Sequence, residues 1–569
     1  MNAEERDRII NDNYADLLIE YSGDYSVLQR FTNATYTIIN YLYAVVHIPA
    51  EQLTIDLIAE WGYSSLPKGF GIISEASLEA SGIQRLRNIP NFNLRGQGVL
   101  IGVIDSGIDY VNPVFRNADG TTRVVSIWDQ TIYGGNIPEN FIYGTEFTRE
   151  EINLALASEN PLEIVPTTDE VGHGTMVAGI AAGNVMPENN FYGIATDSEL
   201  VVVKLKQAKA PLRKFLMIPE DAVCYSEVDI LFGIYYLIQV ANKLERPLVI
   251  CIAVGSSQGG HDGRGILSNT LSLIATRPGI AVVVAAGNEG NERRHYFGTV
   301  NRVTGYDAVE LMVGENEGGF ILELWGDSPS IYSIDITSPS GEYIPRISAS
   351  LSESNEISFL FEQTVIQLLY ITVETQTGDQ VIFLRFVNPA PGIWKFNVYV
   401  RGDLNLGFHM WLPMDKFISD ETFFVRSDIF TTVLALGNAI APLTVSAYND
   451  VDESLYLYAS RGYTRTEVVK PEITAPGVDI IAPTPGNGFV ASTGTSVAAA
   501  HTAGAAAILM EWGYVRGNIP RMSTIELKKL ILRGARRDPD IVYPNREWGY
   551  GILDVYNVFD ALRTGIAPR

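Results

Sequence analysis

The sequence predicts an α/β protein of several parts. A doubly wound parallel sheet is preceded by a ferredoxin-like α/β unit and interrupted by an antiparallel β-sandwich of jelly-roll-like type. Three observations carry that prediction. The chain has 569 residues, more than one ordinary domain holds and a natural length for two or three. Hydrophobic residues make up 46% and charged residues 19%, with a mean hydropathy of +0.09, so a large core can be buried and a disordered or fibrous chain is excluded. The texture of the chain also changes three times.

The first unit is residues 1–66. Tyr14 to Tyr21 and Tyr36 to His47 are apolar and β-rich, with helical patterns between and after them, the second running from about Ala50 to Trp61. Strand–helix–strand–helix suits a ferredoxin-like unit. Tyr63 to Gly71 holds Ser, Pro and Gly and reads as an exposed linker. Taken alone this unit is a packing domain. A removable propeptide is the sharper reading, and it depends on the chemistry of the main domain.

Residues 67–298 and 435–569 form that main α/β domain. Gly98 to Ile104, Leu200 to Leu205, Leu248 to Val254 and Gly279 to Ala285 are near-continuous β-branched runs. Strands apolar on both faces belong to a parallel sheet covered by helices on each side. Tyr225 to Leu244 supplies one such helix. Residues 299–434 differ. Phe320 to Trp325, Tyr332 to Thr337, Ile357 to Phe361, Leu368 to Glu374, Val381 to Val387 and Ile393 to Val400 are short strands broken by Gly, Pro, Ser and Asn. That spacing predicts an antiparallel sandwich, inserted because α/β texture returns after it.

Charge and cysteine content narrow the function. Lys and Arg number 41 against 66 Asp and Glu, a net charge of −25, so neither nucleic acid nor anionic membrane is an expected partner. The two cysteines, Cys224 and Cys251, make no disulfide scaffold and suit a reducing compartment. No apolar run approaches the ~20 residues of a membrane span. The N-terminus lacks a basic region followed by an apolar one, so synthesis in the cytoplasm without a secretion signal is expected.

Three short blocks carry chemistry. Asp105 stands in Ile104-Asp105-Ser106-Gly107, directly after a predicted strand, where α/β sheets place their sites. Alone it is equally an Asx-turn or a cap. His173 lies in Gly172-His173-Gly174-Thr175 at the start of an apolar helix, where a packed histidine is as common as a catalytic one. Ser496 lies in Gly494-Thr495-Ser496-Val497-Ala498, opening an Ala- and Gly-rich helix, and alone would be an N-cap.

Together they mean more. A serine hydroxyl attacks only when a base takes its proton, and that base needs a partner to fix its tautomer. Asp, His and Ser in this chain order on an α/β sheet form one known catalytic arrangement. Ala285-Ala286-Gly287-Asn288-Glu289-Gly290 adds a side-chain amide at a strand end, a donor for a developing oxyanion.

With these blocks the chain resembles the subtilisin-like serine peptidases, over about residues 96–298 and 435–560. The resemblance implies that Asp105 orients His173, His173 is the base, Ser496 attacks and Asn288 helps bind the oxyanion. It implies that Ala253, Val254, Gly255 and Ser256 form the edge that pairs with substrate, and that residues 1–66 are a folding-assisting propeptide. GTSVAAAHTAG carries Ala500 where most relatives have proline. That block, the insert and the Trp548-Gly549-Tyr550-Gly551 tail resemble the Csp-type clostridial spore germination proteases. In that group the propeptide is cut yet can remain bound, the substrate is a spore cortex-lytic proenzyme, and some members are germinant-sensing pseudoproteases. Two functions thus stay open: a serine endopeptidase of narrow specificity, and a non-catalytic or latent germination-signal sensor or scaffold on the same fold, its triad blocked by a retained propeptide. The expected partners are therefore the chain's own propeptide and a protein substrate, with packaging in the spore. No cofactor and no required metal are expected.

Other features have plainer readings. Gly255 to Gly265 lacks the Gly-Lys-Ser/Thr of a phosphate loop, and His261 with Asp262 reads as a solvated pair. Lys204 to Lys214 holds five basic residues and reads as a solvated loop. Ser523-x-x-Glu526 is a capping box opening a helix from Thr524 to Arg533.

Overall fold

Residues 3–32, 34–73, 93–348, 352–402, 404 and 406–564 are described by a computed structural model of the chain. Its centre is an eight-stranded sheet in the order Ile473–Pro476, Leu443–Tyr448, Ile280–Ala285, Leu248–Ile252, Leu100–Asp105, Glu199–Lys204, Val124–Asp129, Thr145–Thr148. All neighbours are parallel except the last pair, which is antiparallel. The four apolar runs seen in the sequence occupy the middle and are buried. Helices cover the two faces, among them His173–Ala182, Glu227–Leu244 and Thr495–Met510. The Thr495 helix is buried along its whole length, which its run of Ala and Gly permits. Helix Thr524–Gly534 starts in the expected capping box of Ser523 and Glu526.

The front unit is an antiparallel sheet of Tyr14–Glu20, Tyr43–Pro49 and Thr35–Ile38, with Tyr43–Pro49 central. The run Tyr36 to His47 is two strands, not one. Asn40 Oδ1 accepts from the backbone N–H groups of Leu42 and Tyr43, and this local bond turns the chain back on itself. Helix Ile55–Trp61 comes next, capped by Thr54, whose hydroxyl accepts from Leu57 N–H.

Tyr63 to Gly71 is not an exposed linker. Tyr63, Ser65, Leu66, Lys68 and Phe70 are all buried. The reason is a strand, Gly69–Ile72, that pairs antiparallel with Tyr225–Ser226 on one side and Val254–Gly255 on the other. Polar backbone that pairs on both edges can be buried at little cost.

The insert is two antiparallel sheets of six and five strands, Gly319–Gly326 and Gln380–Val387 central in one and Ile331–Thr337 and Gly392–Arg401 in the other. Side chains from both sheets meet in one apolar cluster that includes Leu322, Ile334, Leu384 and Phe396. Its outer face is also apolar. Ile321, Trp325, Phe383, Met414 and Phe417 join the core that holds Leu17, Val46 and Ile73, so the front unit, main domain and insert share packing.

Burial changes two further expectations. His261 and Asp262 are 3% exposed each, not solvated. Both His261 ring nitrogens lie 2.8 Å from carbonyl oxygens, of Val433 and Ser257, and Asp262 faces the buried Arg465 guanidinium. Lys204, Lys206 and Lys209 are likewise buried, each against a carboxylate: Glu170, Asp229 and Asp16. An amine leaves water only where such a partner waits.

Candidate functional site

Three loops at the carboxyl ends of the parallel strands, with helix starts behind them, form the site, the position expected of an open α/β sheet. Asp105 ends strand Leu100–Asp105, and its carboxylate is fully buried. His173 opens helix His173–Ala182 after Gly172, which takes φ 85°. Nδ1 of His173 lies 2.8 and 2.9 Å from the two Asp105 oxygens. The loops meet because Gly174 has no side chain: a Cβ there would run into the Gly107 carbonyl oxygen.

A second carboxylate, unforeseen in the sequence, holds this pair in place. Asp169 Oδ2 accepts from Thr175 N–H at 2.8 Å and its hydroxyl at 2.7 Å, while Oδ1 accepts from Gly172 N–H at 2.9 Å and from the Ser106 hydroxyl at 2.8 Å. Ser106 Oγ in turn accepts from Gly174 N–H at 2.9 Å. Asp169 thus ties the start of the His173 helix to the residue after Asp105. Its place shortly before the Gly-His-Gly block is the one signal that pointed to it.

Ser496 is the second residue of helix Thr495–Met510, after Gly494 at φ 151°. It is fully buried, and its Oγ has no hydrogen-bond partner among the described residues. Asn288 lies in the loop after strand Ile280–Ala285. Its Oδ1 accepts from Thr495 N–H and from the Thr495 hydroxyl, both at 3.1 Å. That sets the amide orientation and leaves Nδ2 as the edge turned away from Thr495. The same Thr495 hydroxyl accepts from Gly287 N–H at 3.0 Å, which fixes the Asn288 loop against the Ser496 helix.

The cleft beside these groups is filled by the chain itself. Val254–Gly255 pairs with Ile72 and Gly71, and Ser226 and Tyr225 pair with Gly69 and Phe70. Ala253 and Ser256 flank the pairing edge and are buried; the Ser256 carbonyl accepts from Ala435 N–H at 2.8 Å. One residue beyond this strand, the Ile73 carbonyl oxygen lies 3.1 Å from His173 Nε2. Tyr225 and Ser226, expected at the start of a helix, are instead this pairing edge; the helix begins at Glu227 with Ser226 as its cap.

Both His173 nitrogens therefore face oxygen acceptors. Burial pushes the imidazole down, but the Asp105 carboxylate and the Ile73 carbonyl outweigh it, and the pKa is raised above its ordinary value of 6.5. Among the described residues one acidic trio, Glu292, Asp415 and Asp420, has cation-binding spacing. The Arg294 guanidinium lies 3.8 Å from Glu292 and 3.3 Å from Asp420 and supplies the countercharge.

Comparison with known proteins matches the chain to one family. The model of the subtilase family matches residues 96–308 and 428–551, leaving the body of the insert unmatched. Among curated relatives, the subtilisin-like protease SBT3.6 of Arabidopsis thaliana is 25% identical over 447 residues, covering 73% of this chain and 56% of its own length. The PI-type proteinase of Lactococcus lactis is 23% identical, covering 83% of this chain and 26% of its own. The chain thus spans about half the length of the first of these and less of the second. The solved structure of the Clostridium perfringens CspB protease covers 85% of this chain and 98% of that one, at 29% identity and a TM-score of 0.75.

Proposed function

Because this chain belongs to the subtilase family, we propose that it is a serine endopeptidase whose first substrate is its own chain, cut between Ile73 and Ser74. The observation that carries this reading is the Ile73 carbonyl on His173 Nε2, at the end of a strand paired on both edges in the cleft. On this reading residues 1–73 are the propeptide and the boundary lies after Ile73, whereas composition alone places it after residue 66.

The chemistry comes from the residues themselves. His173, neutral and held by Asp105, takes the Ser496 proton as Oγ bonds to the Ile73 carbonyl carbon. For attack the carbonyl oxygen turns from His173 Nε2, where it rests, towards Ser496 N–H at its helix start and the Asn288 amide, the donors that receive its negative charge. The C–N bond then breaks, and His173 returns the proton to the Ser74 amine. Water, deprotonated by His173, attacks the ester and frees the Ile73 carboxylate and Ser496.

A cut strand that stays paired on two edges leaves the cleft occupied. The front unit is further held by Tyr63, whose hydroxyl donates to Glu323 of the insert at 2.7 Å, and by the buried Lys209–Asp16 pair at 2.6 Å. These contacts support a propeptide retained after cleavage, and hence an enzyme selective for one protein partner. Resemblance to the Csp-type proteases names a spore cortex-lytic proenzyme as that partner. The test is Ser496→Ala in the full chain: it should fold with the wild-type melting temperature and release no fragment ending at Ile73. A fragment of that length from the alanine variant would remove Ser496 from the mechanism.

A further inference from the structure

Two glycines in the strand that fills the cleft have no conformational need to be glycine. Neither Gly69 nor Gly71 takes a positive φ, and β-branched residues suit paired strands better. Their surroundings explain the choice. Successive strand residues alternate faces, so 69 and 71 look the same way, and that face is covered. A Cβ at Gly71 would sit 3.1 Å from Met414 Cε, 3.2 Å from its Sδ and 3.2 Å from Phe417 Cζ. A Cβ at Gly69 would sit 2.9 Å from Cys224 Sγ, 3.3 Å from Leu216 Cδ1 and 3.7 Å from Phe417 Cε2.

Met414 and Phe417 belong to the returning end of the insert, and both are buried. Their segment is pinned to the main domain on either side. Ser257 donates its hydroxyl to the Leu412 carbonyl at 2.9 Å, and Asp415 N–H donates to Glu289 at 3.2 Å. The two side chains form a fixed roof over the substrate strand.

We propose that this roof is a specificity device: Met414 and Phe417 admit glycine, and no larger branched residue, at the third position before the cut bond, while Cys224 and Leu216 of the main domain crowd the fifth. The inference rests on the cleavage after Ile73 proposed above and deepens it. The preferred substrate is an extended segment of alternating glycine and large apolar residues, as in Gly69-Phe70-Gly71-Ile72-Ile73. The insert thereby selects the substrate as well as packing against the fold.

The test uses self-processing of the full chain. Gly71→Val should slow appearance of the Ile73-ended fragment by at least about 50-fold, although valine is at home in a strand. Opening the roof should reverse this. The glycine-to-valine rate ratio at position 71, measured in a Met414→Ala background, should fall by at least about 10-fold. Gly71→Val processed within twofold of wild type would overturn the inference. So would a rate ratio unchanged by Met414→Ala, which is also the result expected if valine merely misfolded the front unit. Ser496→Ala run alongside separates the two readings: if it still cuts, the serine mechanism fails, and if it is silent while Gly71→Val cuts normally, only the roof fails.

Discussion

His173 Nε2 lies 3.1 Å from the Ile73 carbonyl oxygen while Nδ1 of the same ring lies 2.8 Å from Asp105. An imidazole that donates from both nitrogens is an imidazolium, and an imidazolium accepts no proton from serine. The occupied cleft therefore favours the resting form of the base, and it does so through the strand that the enzyme is proposed to cut.

This sets the pH dependence. His173 has its pKa raised by Asp105 and Ile73 against the pull of burial, so self-processing should rise with pH through a midpoint above 6.5, the value of a free imidazole. Asp105→Asn should lower the rate by about 10⁴ by favouring the wrong tautomer, as in related triads, and should move the midpoint down. Near-normal processing by the asparagine variant would exclude Asp105.

Asp169 acts through the other groups and is a positioning residue. Asp169→Ala removes its bonds to Gly172, Thr175 and Ser106, and a helix start displaced by about 1 Å costs about 10² in rate. With a peptide substrate kcat should fall while KM changes little, since the pairing edges at Tyr225–Ser226 and Val254–Gly255 are untouched. A rise in KM at constant kcat would place Asp169 in binding.

Glu289, beside Asn288, should make stability fall as pH rises. Burial pushes its carboxyl up to about 8, with Arg294 opposing. A folded-state pKa above the unfolded one adds stability that is complete below about pH 4.5 and is lost as pH rises through 8, at up to about 1.4 kcal/mol per unit. Glu289→Gln keeps the neutral shape and should flatten melting temperature between about pH 5 and 9. An equally steep profile in the glutamine variant would show that another group titrates.

Arg465 joins the insert to the main domain. Its buried guanidinium meets Asp262 of the main domain and Asp327 and Asp379 of the insert, at 3.5, 2.5 and 2.7 Å. Arg465→Met leaves these acids without their cation and should cost about 3 kcal/mol, less than a wholly dry cluster because Asp327 and Asp379 keep some water contact. Limited proteolysis should then open residues 299–430 first. Unchanged melting and cleavage would mean that apolar packing alone docks the insert.

What the sequence determined by itself lies in local pattern. Continuous β-branched runs mark the central strands, because both faces of a covered parallel sheet must be apolar. The Asp105, His173 and Ser496 blocks stand out because glycine and small residues are required where loops and helix starts approach closely, as Gly174 does to Gly107. Strand Val124–Asp129 and the edge strand Thr145–Thr148 beside it carry weaker patterns and were not legible. Only the tertiary structure decided how the cleft is filled and covered. Gly69–Ile72 is a strand because Tyr225–Ser226 and Val254–Gly255, distant in the chain, supply its hydrogen bonds. His261 and Lys209 read as solvated until the insert and the front unit bury them. Long-range pairing of this kind leaves no periodicity in either segment, since each partner's backbone is satisfied by the other and not by its own neighbours.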